Sequence, residues 1–150
     1  MKTAIDEART GISEGHGGPF GCVIVKDGKV VGQGHNEVVK QKDPTCHGEV
    51  MAICNACKNL GTYDLSGCEL YTTAEPCPMC RGAILWANIS RVYYGCNITD
   101  TDRIGFRDKV FYEGENDISE ELDRQECLEV FEEYVTIKDK KQYLCVIRNA

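Results

Sequence analysis

The spacing of apolar positions changes repeatedly along this chain, and each change marks an element. From Thr3 to Ser13, Ile5, Ala8 and Ile12 recur at three- and four-residue spacing, which predicts a short helix. Gly15-His16-Gly17-Gly18-Pro19 breaks it. Phe20 to Val25 is an apolar strand, Lys26-Asp27-Gly28-Lys29 reads as a hairpin turn, and Val30 to Gly34 returns as the partner strand. Cys46 to Leu60 regains helical spacing, with Val50, Ile53, Cys54 and Cys57 as its apolar stripe and Gly61 as a C-terminal stop. Cys68 to Thr73 is a strand. Pro78 to Ala87 is a helix with proline in its first turn, and Arg91 to Cys96 is another strand. The order β-β-α-β-α-β predicts an α/β sheet with parallel neighbours joined by crossovers and helices on both faces.

The last third reads less cleanly. Acids are dense from Glu113 to Glu133, yet Ile118, Leu122, Leu128, Phe131 and Val135 keep an approximately helical spacing. This predicts a surface helix with one buried and one acidic face; the alternative is an acidic interaction surface. Gln142 to Ile147 reads as a terminal strand. No repeat, low-complexity tract or Pro/Gly/Ser-rich linker interrupts the 150 residues, so the whole chain is expected to form one domain.

Composition narrows the possible functions. A net charge of −7 weighs against a phosphate-rich partner and suits a small uncharged substrate. No apolar run approaches the roughly 20 residues of a membrane helix, and acids stand near the N-terminus where a signal peptide would be apolar. A cytoplasmic location is therefore expected. Most of the ten cysteines lie in apolar runs, Cys22, Cys68 and Cys145 among them, and read as buried small hydrophobes rather than a disulfide framework.

Two short segments stand apart. Cys46-His47-Gly48-Glu49-Val50 and Pro76-Cys77-Pro78-Met79-Cys80 each fall at a predicted helix start. Cysteines three apart on a turn into a helix can hold one metal, and their thiolates gain from the helix dipole. Cys-x-x-Cys alone is also found in structural zinc sites and redox motifs. A structural site needs four ligands, and the other such pair, Cys54 and Cys57, fits core packing mid-helix. His47 as third ligand leaves a coordination position for water, as catalytic zinc requires. Glu49, two residues on, can then handle the water's proton. Alone, His47 reads as a structural histidine and Glu49 as a helix-start acid; neither reading accounts for the two motifs occurring together.

His-x-Glu followed by Pro-Cys-x-x-Cys is the signature of zinc nucleobase deaminases. The chain resembles the cytidine deaminase-like superfamily, and within it the small bacterial guanine and nucleoside deaminases. The resemblance runs from about Gly17 to Tyr112, through Gly17-Gly18-Pro19-Phe20-Gly21, Asn36, Asp43 to Glu49, and Thr73 to Ile84. It implies a three-layer α-β-α sandwich around a five-stranded mixed sheet and a homodimer. It also implies one zinc per chain on His47, Cys77 and Cys80, with attack of zinc-bound hydroxide on an aminated ring carbon and Glu49 as proton shuttle.

The glycine-rich entry and the segment Gly105-Phe106-Arg107-Asp108 are similar to guanine deaminases. That similarity implies guanine as substrate, with Asn36 holding the base and Asp108 as a second proton shuttle, although Asp108 also reads as a solvated loop acid. Phe20 offers a face to a flat purine, or is simply a core residue. Gly48 stands where the family most often has alanine, and its small size opens the pocket floor. Arg107 replaces a common acid, and the C-terminus lacks the aromatic residue that closes some guanine deaminases. These departures keep cytosine, another aminated base or nucleoside, and tRNA adenosine open as alternatives. A non-catalytic zinc-stabilised base-binding module is the non-enzymatic one, and the presence of Glu49 argues against it.

Overall fold

The computed structural model of the chain describes residues 1–113, 122 and 124–138. Its elements run α1 (Lys2–Ser13), β1 (Gly21–Lys26), β2 (Lys29–His35), α2 (Val38–Gln41), α3 (Gly48–Leu60) and β3 (Glu69–Ala74). There follow α4 (Pro78–Trp86), β4 (Arg91–Cys96), α5 (Ile98–Arg103), α6 (Val110–Glu113) and α7 (Arg124–Thr136). Among the described residues the strands form one mixed sheet in the order β2-β1-β3-β4. β1 pairs antiparallel with both β2 and β3, whereas β3 and β4 are parallel and joined by α4 as a crossover. The β1–β2 hairpin is as expected, but β1 also meets β3 antiparallel, so among the described strands only β3 and β4 are the parallel neighbours that the element order predicts.

The hairpin turn is built as its residues require. Asp27 and Gly28 both hold positive φ, 49° and 74°, which matches the twist of the flanking strands. Gly61 ends α3 at φ 65°, where its N–H bonds back to the last turn.

Helices cover both faces of the sheet, as the element order predicts. On one side α1 lies so close to β1 that a Cβ on Gly21 would meet the Ala4 carbonyl at 2.1 Å. On the other, α3 crowds β2 so that a Cβ on Gly32 would sit 2.6 Å from Ala56. Cys22, Ile24, Leu70, Leu65 and Cys68 fill the space between the sheet, Ala52 and Ala56 of α3, and Ile84 of α4. Each fully buried leucine or isoleucine contributes about 1.5–3 kcal/mol by removal from water.

This close approach overturns the expected stripes. The buried positions of α3 are Gly48, Glu49, Ala52 and Ala56. Ile53 and Cys57 only flank the core, and Cys54 is exposed, so core packing does not explain it. In α1 the buried residues are Ala4, Ala8 and Gly11, while Ile5 and Ile12 are exposed. Small side chains win the inward positions because the helix axes sit too near the strands for branched ones.

In the last third a helix forms over Arg124–Thr136, but the expected buried face is not buried. Leu122, Phe131 and Val135 are exposed, Val135 at 68%. Ile118, Cys145 and the expected strand Gln142–Ile147 lie outside the described residues. No helix among the described residues is long and apolar enough to cross a membrane.

Candidate active site

The two segments singled out from sequence meet at the ends of α3 and α4. His47 is the N-cap of α3 in extended conformation, and Cys77 is the N-cap of α4, with Pro78 at its first helical position. Both helix N-termini converge on the same point, which favours negative charge there. The carboxyl ends of the parallel strands β3 and β4 lead directly into this region, through Pro76-Cys77 and Asn97.

His47 Nδ1 lies 3.6 Å from Cys77 Sγ and 3.5 Å from Cys80 Sγ. All three donor atoms fall within 4.8 Å of one another. Around tetrahedral zinc, with bonds of about 2.05 Å to nitrogen and about 2.3 Å to sulfur, such ligands sit about 3.6 Å apart. The imidazole and the two thiols therefore fit zinc in both chemistry and spacing. Cys77 and Cys80 are buried, and His47 is half-buried.

The cysteines are prepared for a cation. A hydrogen bond from the Cys80 thiol lowers the Cys77 pKa to about 4 against the opposing effect of burial, with His47 and the Cys80 N–H assisting. Cys80 is correspondingly pushed up, by that same bond and by burial. His47 is raised, first by its contact with Cys77. The metal-free cluster thus holds a thiolate beside a basic imidazole, and loading a dication displaces protons from it.

Glu49 occupies the second position of α3 and is only 5% exposed. Its Oε1 accepts a hydrogen bond from Thr72 Oγ1 at 3.0 Å, and its Oε2 accepts from Cys80 Sγ at 3.4 Å. Burial raises its pKa, which moves a carboxylate toward the range useful for proton transfer. Thr72 reaches it because β3 alternates: Leu70, Thr72 and Ala74 face inward while Tyr71 and Thr73 are less buried.

Glu49, His47 and Cys77 open onto a cleft of about 410 Å³. Phe20, Asn36 and Asp108 also line it. Phe20 meets Phe106 edge-to-face at 4.8 Å, so the aromatic wall has two members. Asn36 is buried, and its Oδ1 accepts from the N–H groups of Gly18 and Val38, each at 3.3 Å. The glycines make this possible, because a Cβ on Gly17 would lie 2.0 Å from Asn36 Oδ1. Asp108 is half-buried, and burial raises its carboxyl pKa, with the negative charge of Cys77 adding to the rise.

Cys80 and Gly48 do not line the cleft. Cys80 sits beneath it against Glu49. Gly48 lies below Phe20, where a Cβ would approach the Phe20 carbonyl to 2.9 Å. Glycine at 48 therefore relieves a backbone contact.

Three residues at the site were not anticipated from sequence. Phe106, two residues before Asp108, gives no signal of its own in the sequence. Thr72 could be found only from the strand's inward register. Glu75 receives Arg81 at 2.7 Å through one oxygen and the Ile98 N–H at 3.1 Å through the other. Arg81 also lies 5.5 Å over the Tyr112 ring, whose hydroxyl donates to the Pro76 carbonyl at 2.9 Å. Together these contacts tie the cysteine-bearing turn to α5 and α6.

An imidazole and two thiols at paired helix N-termini, with a buried glutamate beside them and a cleft above, define a hydrolase site of the zinc type. Residues 1–96 match the model of the cytidine and deoxycytidylate deaminase zinc-binding region, and the chain belongs to that family. It is 43% identical to a guanine deaminase of Bacillus subtilis, across 95% of this chain and 96% of the relative. A crystal structure of guanine deaminase from B. subtilis superposes with a TM-score of 0.89, at the same identity and coverage. The chain is also 38% identical to a cytosine deaminase of Candida albicans, across 95% of this chain and 89% of that one. Similarity to a tRNA-specific adenosine deaminase of Aquifex aeolicus reaches 44% but spans 63% of this chain and 62% of the relative.

Proposed function

We propose that the chain is a zinc-dependent aminohydrolase that converts guanine and water to xanthine and ammonia. One observation carries the reading: two carboxyl groups with raised pKa values, Glu49 and Asp108, line one cleft together with His47 and Cys77. The extent of similarity to a guanine deaminase over nearly the whole chain supports it.

His47, Cys77 and Cys80 would hold one zinc per chain, and the metal, when bound, supplies a Lewis acid that acidifies a water molecule at the remaining position. Glu49 takes the proton of the attacking water and passes it to the ring nitrogen next to C2. Thr72 Oγ1 donates to its Oε1 at 3.0 Å and holds the carboxylate in place, so little reorganisation accompanies the transfer. The leaving amine on C2 lies between two ring nitrogens, and Asp108 serves as the second proton carrier for its departure. The Asn36 oxygen is occupied by backbone N–H groups, which assigns its NH₂ to an acceptor on the base. Phe20 and Phe106, in edge-to-face contact, form one aromatic wall beside the ring, and Gly48 keeps the floor beneath Phe20 in place.

The same reading includes a single domain over residues 1–150, a fifth strand completing the sheet, a homodimer and a cytoplasmic location. Similarity to a cytosine deaminase over 95% of the chain favours cytosine as the second reading. A side-by-side panel of guanine, cytosine, adenine and tRNA anticodon stem-loops tests the assignment. Guanine is expected to show the highest kcat/KM; equal or faster turnover of cytosine overturns it.

A further inference from the structure

We propose that His16, His35 and Glu37 form a second site, for a divalent transition-metal ion, next to the cleft wall. His16 follows α1, His35 ends β2, and Glu37 is the N-cap of α2. Their ligand atoms lie within 4.8 Å of one another.

Hydrogen bonding fixes which ring nitrogens are free. His35 Nδ1 lies 2.8 Å from Glu7 Oε2, and His16 Nε2 lies 3.0 Å from Glu14 Oε2. A carboxylate can only accept, so each of these nitrogens carries a proton. In the neutral rings His16 Nδ1 and His35 Nε2 are then both lone pairs, and they face one another at 2.8 Å. Two lone pairs at that distance need a cation between them. Glu37 Oε1 stands 3.7 Å from His35 Nε2 and supplies a third donor.

The outer shell suits a metal as well. A carboxylate that takes the far N–H of a ligating histidine fixes its tautomer and strengthens it as a donor. Glu7 does this for His35 and is itself held by Gln33 Nε2 at 2.7 Å. The other groups on Glu37 are Lys40 Nζ on Oε1 at 3.1 Å and Gln41 Nε2 on Oε2 at 2.6 Å. Three carboxylates and one ammonium thus surround the two imidazoles, an excess of negative charge that a dication offsets. Around zinc, nitrogen ligands sit about 3.3 Å apart, so the two rings need to part by about 0.5 Å. His16, His35 and Glu37 keep 15%, 10% and 13% side-chain exposure, enough for an ion to enter.

The site adjoins the cleft on two chain segments. His16 precedes Gly17 and Gly18, and its carbonyl accepts from the N–H groups of Val39 and Lys40; His35 precedes Asn36. An ion here ties α1, β2 and α2 together behind the residues that hold the base.

The test reads metal, not turnover, so it stands apart from the deaminase assignment. Protein stripped of metal is reloaded with Zn²⁺ under reducing conditions, and bound metal per chain is measured for wild type, His16→Gln and Glu37→Gln. Two equivalents are expected for wild type and one for each variant. Stripped wild type is also titrated with Co²⁺, which needs no variant to fold. Thiolate charge-transfer bands are expected from the first site only, followed by a further equivalent that adds visible bands without them. One equivalent in wild type with no loss in the variants, or Co²⁺ saturating with thiolate bands alone, overturns the proposal and leaves a shared proton between the two rings.

Discussion

Replacing Glu49 with glutamine is the sharpest perturbation of the proposed chemistry, because it removes the transferable proton site while keeping the shape. The amide oxygen can still accept from Thr72 Oγ1 at about the present 3.0 Å, and the NH₂ then faces Cys80 Sγ, now 3.4 Å from the carboxylate. No buried polar group is orphaned, so stability is expected to change by no more than about 1 kcal/mol. Zinc content stays at the wild-type value, since Glu49 is not a ligand. Catalysis behaves differently. A positioned general acid–base contributes about 10²–10⁴-fold. At 5% exposure no bulk water replaces Glu49, so the loss falls at the upper end, about 10⁴-fold in kcat. At 1.36 kcal/mol per tenfold this is about 5 kcal/mol of barrier. The assay pairs ammonia release with metal analysis of the same preparation. Retention of more than a tenth of the activity would refute the proton-shuttle role. Loss of zinc together with activity would make Glu49 part of the metal site instead.

Three further perturbations follow from the geometry. Asp108→Asn is expected to lower kcat for guanine about 10²-fold with unchanged metal content, measured by steady-state kinetics; wild-type kcat would make Asp108 an ordinary loop acid. Gly17→Ala places a methyl group 2.0 Å from Asn36 Oδ1, so the amide must move, and kcat/KM is expected to fall 10- to 100-fold; an unchanged value would mean Asn36 does not hold the base. Asp64 accepts from the Ser66 hydroxyl and N–H at 2.5 and 3.0 Å, and these bonds lower its pKa. A lowered folded-state value means its contribution is present above the unfolded pKa of about 3.9 and is lost as pH falls through the folded value. Urea unfolding should therefore show Asp64→Asn less stable than wild type at pH 7, with the difference closing below pH 3.9; a pH-independent gap contradicts this.

Much of the site was legible because its signals are local. A helix start needs only a few residues to declare itself, and His47, Glu49, Cys77 and Cys80 all sit at one. The hairpin at Asp27-Gly28 was equally local. What failed depended on partners far away in the chain. Ile5, Ile12 and Cys54 fit helical periodicity but lost the inward positions to alanine and glycine, because the strands opposite carry glycines that draw the helices close. No periodicity reports how near a neighbouring sheet will come. Thr72 lies 23 residues from Glu49, and Phe106 lies 86 from Phe20, so their contacts exist only once the sheet and loops are assembled. The face of α7 followed its period, yet Phe131 and Val135 remain exposed on this chain, since an apolar stripe does not specify what covers it.

Guanine turnover is measured directly by incubating zinc-loaded protein with guanine while following ammonia release and the ultraviolet change to xanthine together. Both signals are expected to rise in equal molar amounts, and both to stop when the metal is chelated. Protein carrying zinc on His47, Cys77 and Cys80 that leaves guanine unchanged, while turning over cytosine or another aminated ring, would contradict the guanine assignment.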